Sequence, residues 1–479
     1  MVAFIHKGIL TLLIASIGPI VVSAQSTGKN PVIIIPGITG STLVNSRTGK
    51  TAWFSVKRDK ADDIRLPMTS PILTRDRDNL RADDIIRKVE VPVLPDVEVY
   101  QTLLDALDAR GYHEAKWDHP EAKDVYYVFA YDWRRDNVES AQQLMQRMAT
   151  VRRALRRTDL KFDIIAHSMG GLIARYAAMY GAADLPPEGK EPVPTWAGAS
   201  FINKLMMFGT PNEGSFGALD ALLNGYPVVA GRKLPLIDDP RNEDVMSSPA
   251  IYQLLPHRGS AKFLDESLQP VPVDLYNSDT WLKYNWGGMS NPKFLGRLKD
   301  AVQLAAKDPD IKPAKLSKNA DMDDRLLSQT TYLQVRMFLS SVLSRAKRFH
   351  QALDAPEKNV PIQLYAYGGN CEPTNNAVIL IKDDKKNRWE TLFDAKDIKT
   401  ASGQTVKKDD VKNAIFALGD GRVTQRSLLT VGQTGEAVTG LFTLTSTFFG
   451  CGTHTKLFLD KPIQDSFLSA LVVEKEKQP

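Results

Sequence analysis

A serine among small residues in the stretch IIAHSMGG, Ile164 to Gly171, is the group in this chain best set to attack a carbonyl carbon. An alcohol is a poor nucleophile near neutral pH. It needs a base within hydrogen-bond reach, a third group to orient that base, and donors for the oxyanion. The run FDIIA before Ser168 predicts a strand, and GLIARYAAMYG after it predicts an Ala-rich helix stopping at Gly181. A strand–turn–helix junction lifts Oγ above the sheet edge and demands small neighbours, because backbone and helix crowd together there. Ala166, Gly170 and Gly171 meet that demand, although the usual Gly-x-Ser-x-Gly pattern has glycine where Ala166 stands. His167 extends to the other side of the strand and cannot deprotonate its neighbour, so it reads as a packing residue of the turn.

The base and the acid must come from later loops, in the chain order serine, acid, histidine. Downstream of Ser168 lie His257, His350 and His454. His257 falls in an irregular region and His350 inside a predicted helix. FFGCGTHTKLF sets His454 in a loop after the last strand, which makes it the candidate base. FALGDGRVTQRS supplies Asp420 on a tight turn after an apolar stretch, whereas Asp409 and Asp410 in KKDD read as a solvated charge run. Oxyanion donors in such a site are the backbone N–H after the nucleophile and one from the loop after the first core strand. Here those are Met169 and Ile38, with Gly37 and Gly40 giving the loop its conformational freedom.

The elements that must position these groups follow from hydrophobic pattern. Val32 to Ile35 reads as a buried strand closed by Pro36 and Gly37, and Val125 to Ala130 as a second. Asn137 to Arg157 reads as a helix with one apolar face, and INKLMMFGTP as a strand ending at Gly209. Strand and helix in alternation predict an α/β fold, a mostly parallel sheet with helices on both faces. From about Ser215 to Asn359 the alternation stops. With helices at Pro292 to Ala306 and Asp323 to Leu353, this stretch reads as an inserted cap over the carboxyl edge of the sheet. PIQLYAYGG then resumes the strands, AVILIKD and NRWETLFD form a hairpin, and AVTGLFTLTST is the expected last strand. The expected division is residues 1–24 as a leader, 25–215 as the first part of the core, 216–360 as the cap, and 361–479 as the second part, carrying acid and histidine.

Composition bounds the class. The chain has 479 residues and a net charge of only +5, with Lys and Arg dispersed among acidic residues, which argues against nucleic-acid binding. The first 26 residues run from Lys7 through an apolar stretch, Gly8 to Val22, to small residues at Ser23 and Ala24. That is the order of a secretory signal cleaved after Ala24, with an uncleaved anchor as the competing reading. The only cysteines are Cys371 and Cys451; in an exported chain they read as a disulfide, with two free buried thiols as the alternative. No metal motif appears among seven scattered histidines, and the chemistry above calls for no cofactor.

Taken together, PGITGSTL, YDWRRD, AHSMGG, FGTPNEGS, SSPAIYQLLP, LGDGRVTQRS and the late histidine resemble, in order and spacing, the lecithin:cholesterol acyltransferase family of α/β-hydrolases. The resemblance covers most of the chain beyond the leader. It implies that Ser168, Asp420 and His454 form a catalytic triad, with Ile38 and Met169 as oxyanion donors. It also implies a cap over an acyl pocket, with Tyr131 and Trp133 near its edge, and cleavage or transfer of a fatty acyl chain from a phospholipid-like ester. Trp281 and Trp286 in DTWLKYNWGGM are candidates to line that pocket or to pack the cap. Where the family has Gly-Asp-Gly-Thr-Val-Pro, this chain places Arg422 and Thr424 at the Thr and Pro positions.

The function expected is a serine acyl-ester hydrolase or O-acyltransferase acting on lipid esters, secreted or periplasmic, with transient contact to a lipid surface. A carboxylesterase of soluble esters and a lipid-binding protein without turnover are the other readings. Water and alcohol acceptors use the same triad, so the sequence leaves the acceptor and the oligomeric state open.

Overall fold

The computed structural model describes residues 29–54, 64–68, 72–75, 77–89, 97–226, 240–286, 320–355, 359–383, 388–430 and 441–472. The leader, the expected helix at 292–306 and the chain end lie outside these residues. Seven parallel strands form the central sheet: β1 (Val32–Ile35), β2 (His113–Glu114), β3 (Val125–Val128), β4 (Phe162–His167), β5 (Ile202–Phe208), β6 (Gln363–Gly369) and β7 (Ser446–Gly450). Their order across the sheet is β7-β6-β5-β4-β1-β3-β2. Each parallel step needs a crossover, and helices supply several of them.

Side chains of β1 alternate between two cores. Ile33 and Ile35 face α2 (Asn137–Leu155) and α3 (Met169–Tyr180), while Val32 and Ile34 face α1 (Gln101–Asp108) and a C-terminal helix, Lys461–Val472. Apolar residues on both sides of the same strand explain why the sequence shows continuous β-branched runs rather than alternation. Helix α2 starts where the Asp136 carboxylate accepts from the Val138 N–H (2.8 Å) and stops at Arg156, whose φ of 53° is left-handed.

Between β5 and β6 no described strand joins the central sheet. Lys262–Leu264 pairs instead with Ala377–Asp383, which forms the expected hairpin with Arg388–Leu392. A long helix, Ala320–Leu353, begins three residues earlier than its periodicity predicts, and its end docks on α3. The Leu353 carbonyl accepts from Arg175 (2.7 Å), and the Ala352 carbonyl accepts from the Tyr180 hydroxyl (2.8 Å). The YDWRRD turn is the junction for this segment. Buried Asp136 binds Arg345 (2.7 Å) and Gln253 (2.9 Å), and buried Arg134 binds Asp132 and Asp78.

The last strand differs from expectation. It is Ser446–Gly450, later than the alternating run at 437–447, of which the first four residues lie outside the described ones. Leu441 and Leu444 face the apolar interior, with the Leu441 N–H donating to Thr430 Oγ1 (3.2 Å), and the hydrogen bonds to β6 begin where the Thr445 N–H reaches the Leu364 carbonyl (2.7 Å). Alternation reports a half-buried extended chain, whereas a strand also needs a neighbour in register.

Candidate active site

The carboxyl ends of β1, β4, β5, β6 and β7 converge. Open parallel sheets place their functional loops along this edge. Ser168 sits between β4 and α3 with φ 52°, ψ −123°, a conformation that is strained for a residue with a side chain. The turn is held by the Ser168 N–H donating to the Phe208 carbonyl at 2.7 Å. The small neighbours are required by contact. A Cβ on Gly170 would lie 2.7 Å from the Ile35 and Pro36 carbonyl oxygens, and one on Gly171 would lie 2.0 Å from Thr210 Oγ1. Ala166 belongs to the strand itself, paired with Ile35 and Met207, so its methyl is accommodated.

His454 Nε2 lies 2.9 Å from Ser168 Oγ, and His454 Nδ1 lies 2.8 Å from Asp420 Oδ2. Asp420 is fixed in turn, because its Oδ1 accepts the Val423 (2.7 Å) and Arg422 (3.0 Å) N–H groups. It follows a strand, Phe416–Gly419, that pairs antiparallel with Glu372–Asn375 just beyond β6. All three side chains are buried. Since a carboxylate accepts, Nδ1 carries the proton and Nε2 is left to receive one from the serine. Cys371 and Cys451 are joined by a disulfide, which ties the end of β6 to the loop leading to His454.

Ile38 and Met169 flank the serine. Met169 is the first residue of α3, where N–H groups have no acceptor within the helix. Ile38 follows Gly37, where a Cβ would come 2.9 Å from Ser168 Cβ. A partly open cleft lies above, lined by Ile38, Ser168, Tyr226, Leu254, Arg422 and His454 among others. It adjoins a second, narrow one that shares Ile38, Tyr226 and Ile251 and runs to Trp133. The Arg422 guanidinium lies 4.7 Å over the Tyr226 ring, with the Asp220 carboxylate within electrostatic reach. Among the described residues, no group of three or more His, Cys, Asp or Glu side chains is arranged to hold a metal ion.

Not every candidate reaches these cavities. Tyr131 is buried with its hydroxyl donating to the Pro36 carbonyl (2.9 Å), and it braces the loop after β1 without lining the cavities. Trp281 and Trp286 pack in the interior, with their indole N–H groups donating to the Leu275 carbonyl and Thr391 Oγ1, both at 2.7 Å. The interior offers more apolar contact than a tunnel wall, and buried acceptors meet both N–H groups. Of the wall residues, Ile251 and Leu254 lie in SSPAIYQLLP, although nothing in their type marks them as lining a cavity, and Tyr226 carries no sequence signal.

His167 does more than fill space. Its Nδ1 lies 2.9 Å from the Tyr100 hydroxyl and its Nε2 2.9 Å from the His454 carbonyl. Burial, reinforced by His454, pushes its pKa down to about 3.

A parallel sheet with helices on both faces, a strained serine turn after a central strand, and an acid and histidine on later loops define an α/β-hydrolase fold. A chain in the crystal structure of the Tle4–Tli4 complex shares this fold over 92% of this chain and 98% of its own length, with a TM-score of 0.53 at 13% identity. The sequence matches the lecithin:cholesterol acyltransferase family over residues 79–432, and the chain belongs to that family. It is 26% identical over 168 residues to lecithin-cholesterol acyltransferase-like 4 of Arabidopsis thaliana, a match spanning 30% of this chain and 30% of the plant protein. The loop after β1 and His454 both lie outside residues 79–432, so bond geometry is what brings them to the site.

Proposed function

We propose that this chain is a serine acyl-ester hydrolase or O-acyltransferase acting on phospholipid-like esters through Ser168, His454 and Asp420. The observation that carries the reading is the unbroken hydrogen-bonded chain Asp420–His454–Ser168 opening on a cavity. In this reading His454 Nε2 takes the Ser168 proton as Oγ attacks the acyl carbonyl, and Asp420 stabilises the imidazolium. The oxyanion is received by the Ile38 and Met169 N–H groups. Collapse breaks the ester bond, and His454 returns its proton to the departing alcohol. Water or a second alcohol then takes the acyl group by the reverse steps. The apolar lobe ending at Trp133 suits an acyl chain. Arg422 suits a phosphate on the alcohol portion, which favours a phospholipid donor over a neutral ester.

Residues 216–360 act as the cap in this reading, since Tyr226, Ile251 and Leu254 wall the cavity from that segment. The leader directs export, so the mature chain starts at Gln25 and works outside the cytoplasm at a lipid surface. Sequencing the N-terminus of the exported protein tests this, and a retained Met1 counts against it.

A fluorophosphonate probe labels the wild-type protein in this reading and does not label Ser168→Ala. No labelling, or labelling unchanged by the substitution, removes the enzyme and leaves a lipid-binding protein. Mass spectrometry of products from phospholipid, with and without a long-chain alcohol, then divides hydrolase (free fatty acid) from transferase (a new ester). Turnover of short soluble esters alone favours the carboxylesterase reading.

A further inference from the structure

Four segments distant in sequence meet behind the serine. Gly37 N–H donates to the Tyr100 hydroxyl at 2.8 Å. That hydroxyl lies 2.9 Å from His167 Nδ1, His167 Nε2 lies 2.9 Å from the His454 carbonyl, and the His454 N–H donates to the Asp420 carbonyl at 2.8 Å. The direction of every link is forced. A carbonyl oxygen can only accept, so His167 carries its proton on Nε2. Neutral imidazole has one N–H, so Nδ1 is bare and takes the Tyr100 hydrogen, while the Tyr100 oxygen accepts from Gly37. Tyr100, His167, Asp420 and His454 are buried, so no bulk water competes for the links.

We propose that Tyr100 and His167 are positioning residues that set the oxyanion loop and the base loop in one register. This rests on the acyl-transfer reading of the same site. The residue after Gly37 is Ile38, one oxyanion donor, and the carbonyl gripped by His167 belongs to the residue whose ring faces Ser168. A slack link lets these two parts move independently. Misplacement of about an ångström at reacting groups slows an enzyme roughly a hundredfold. The His167 and His454 ring centroids are 4.9 Å apart, so a charged His167 would oppose the imidazolium formed on His454. Burial keeps His167 neutral, which makes it a bracket that bears no charge of its own.

Asparagine and glutamine separate the two links, because the Asn amide reaches the Nδ1 position and the Gln amide the Nε2 position. Tyr100→Phe removes one hydroxyl and little bulk, and serves if either His167 variant fails to fold. The readouts, on the full chain, are kcat and KM for a soluble p-nitrophenyl ester, the pH dependence of kcat/KM, and the downfield proton resonance of the His454–Asp420 hydrogen bond. His167→Asn, which loses the grip on His454, is expected to lower kcat by about ten- to a hundredfold with KM little changed. It should also move the acidic limb of the pH profile by about half a unit or more and broaden the downfield resonance. His167→Gln and Tyr100→Phe, which loosen only the oxyanion side, are expected to lower kcat while keeping the wild-type pH limb and resonance.

A purely structural role predicts something else: lower melting temperatures with kcat, pH limb and resonance as in the wild type. Either that result or an equal loss of kcat in all three variants with one shared pH profile overturns the proposal. If the wild type labels with no fluorophosphonate and cleaves no ester, the acyl-transfer reading fails. The resonance then still decides: broadening in His167→Asn but not in His167→Gln supports positioning, and no difference between them refutes it.

Discussion

At Gly209 the backbone turns with φ 56°, directly beneath the acid and the base. A Cβ there would lie 2.8 Å from Asp420 Oδ2 and 3.0 Å from His454 Nδ1. The glycine of FGTPNEGS is therefore required twice, by its dihedral and by the space that the hydrogen-bonded pair occupies. Gly209→Ala is expected to fold, at a cost of roughly 1–2 kcal/mol for the left-handed residue. It should lower kcat about a hundredfold by displacing His454. Steady-state kinetics alongside circular dichroism check this, and wild-type turnover in a folded variant removes the argument. That Ser168, Asp420 and His454 could meet was legible in the sequence, because each carries a chemical type and a place in an ordered series, and the two hydrogen bonds show that they do. Tyr100 was not legible, because a tyrosine opening an amphipathic helix looks like any other core aromatic until its hydroxyl is found between Gly37 and His167.

The disulfide acts on elements. Cys371 lies just past β6 and Cys451 just past β7, at a sequence separation of 80 that spans the whole acid-bearing excursion. Cross-linking a loop of that length removes chain entropy worth about 4 kcal/mol from the unfolded state, within the usual range of roughly 2–5. Reduction, or Cys371→Ser with Cys451→Ser, should lower the free energy of unfolding by that amount in urea titrations. It should also reduce activity at concentrations of urea that the oxidised protein tolerates. A midpoint that reductant does not move speaks against it. The pairing of these cysteines was an open alternative in the sequence. The proximity of the two strand ends follows only from β6 and β7 being neighbours. The same neighbour relation moved the last strand from 437–447 to Ser446–Gly450, because hydrophobic alternation cannot say where a partner strand begins.

For the whole molecule, buried histidines set the response to acid. His167 is held down to about 3 by burial and by His454, and His350 well below its ordinary value by burial and by His257. In the unfolded chain both take protons near pH 6.5. Below that pH the unfolded state binds more protons, for His167 down to about 3, so stability is lost as pH falls, by up to roughly 1.4 kcal/mol per pH unit for each. Asp163, raised to about 6 by burial, and Asp220, also raised by burial, work in the opposite sense, but only below about 6, after the histidines have begun to act. The urea midpoint should therefore fall between pH 7 and pH 4.5, and a constant or rising midpoint contradicts this assignment. By itself the sequence determined the alternation of strand and helix, the serine turn, and the aspartate and histidine that could stand beside it, because periodicity and residue type are local. Only the tertiary structure decided which tryptophans pack and which one meets a cavity, that the two cysteines meet, and that His167 spans from Tyr100 to His454. Those are distances between residues far apart in the chain, and they exist only once the strands have taken their places in the sheet.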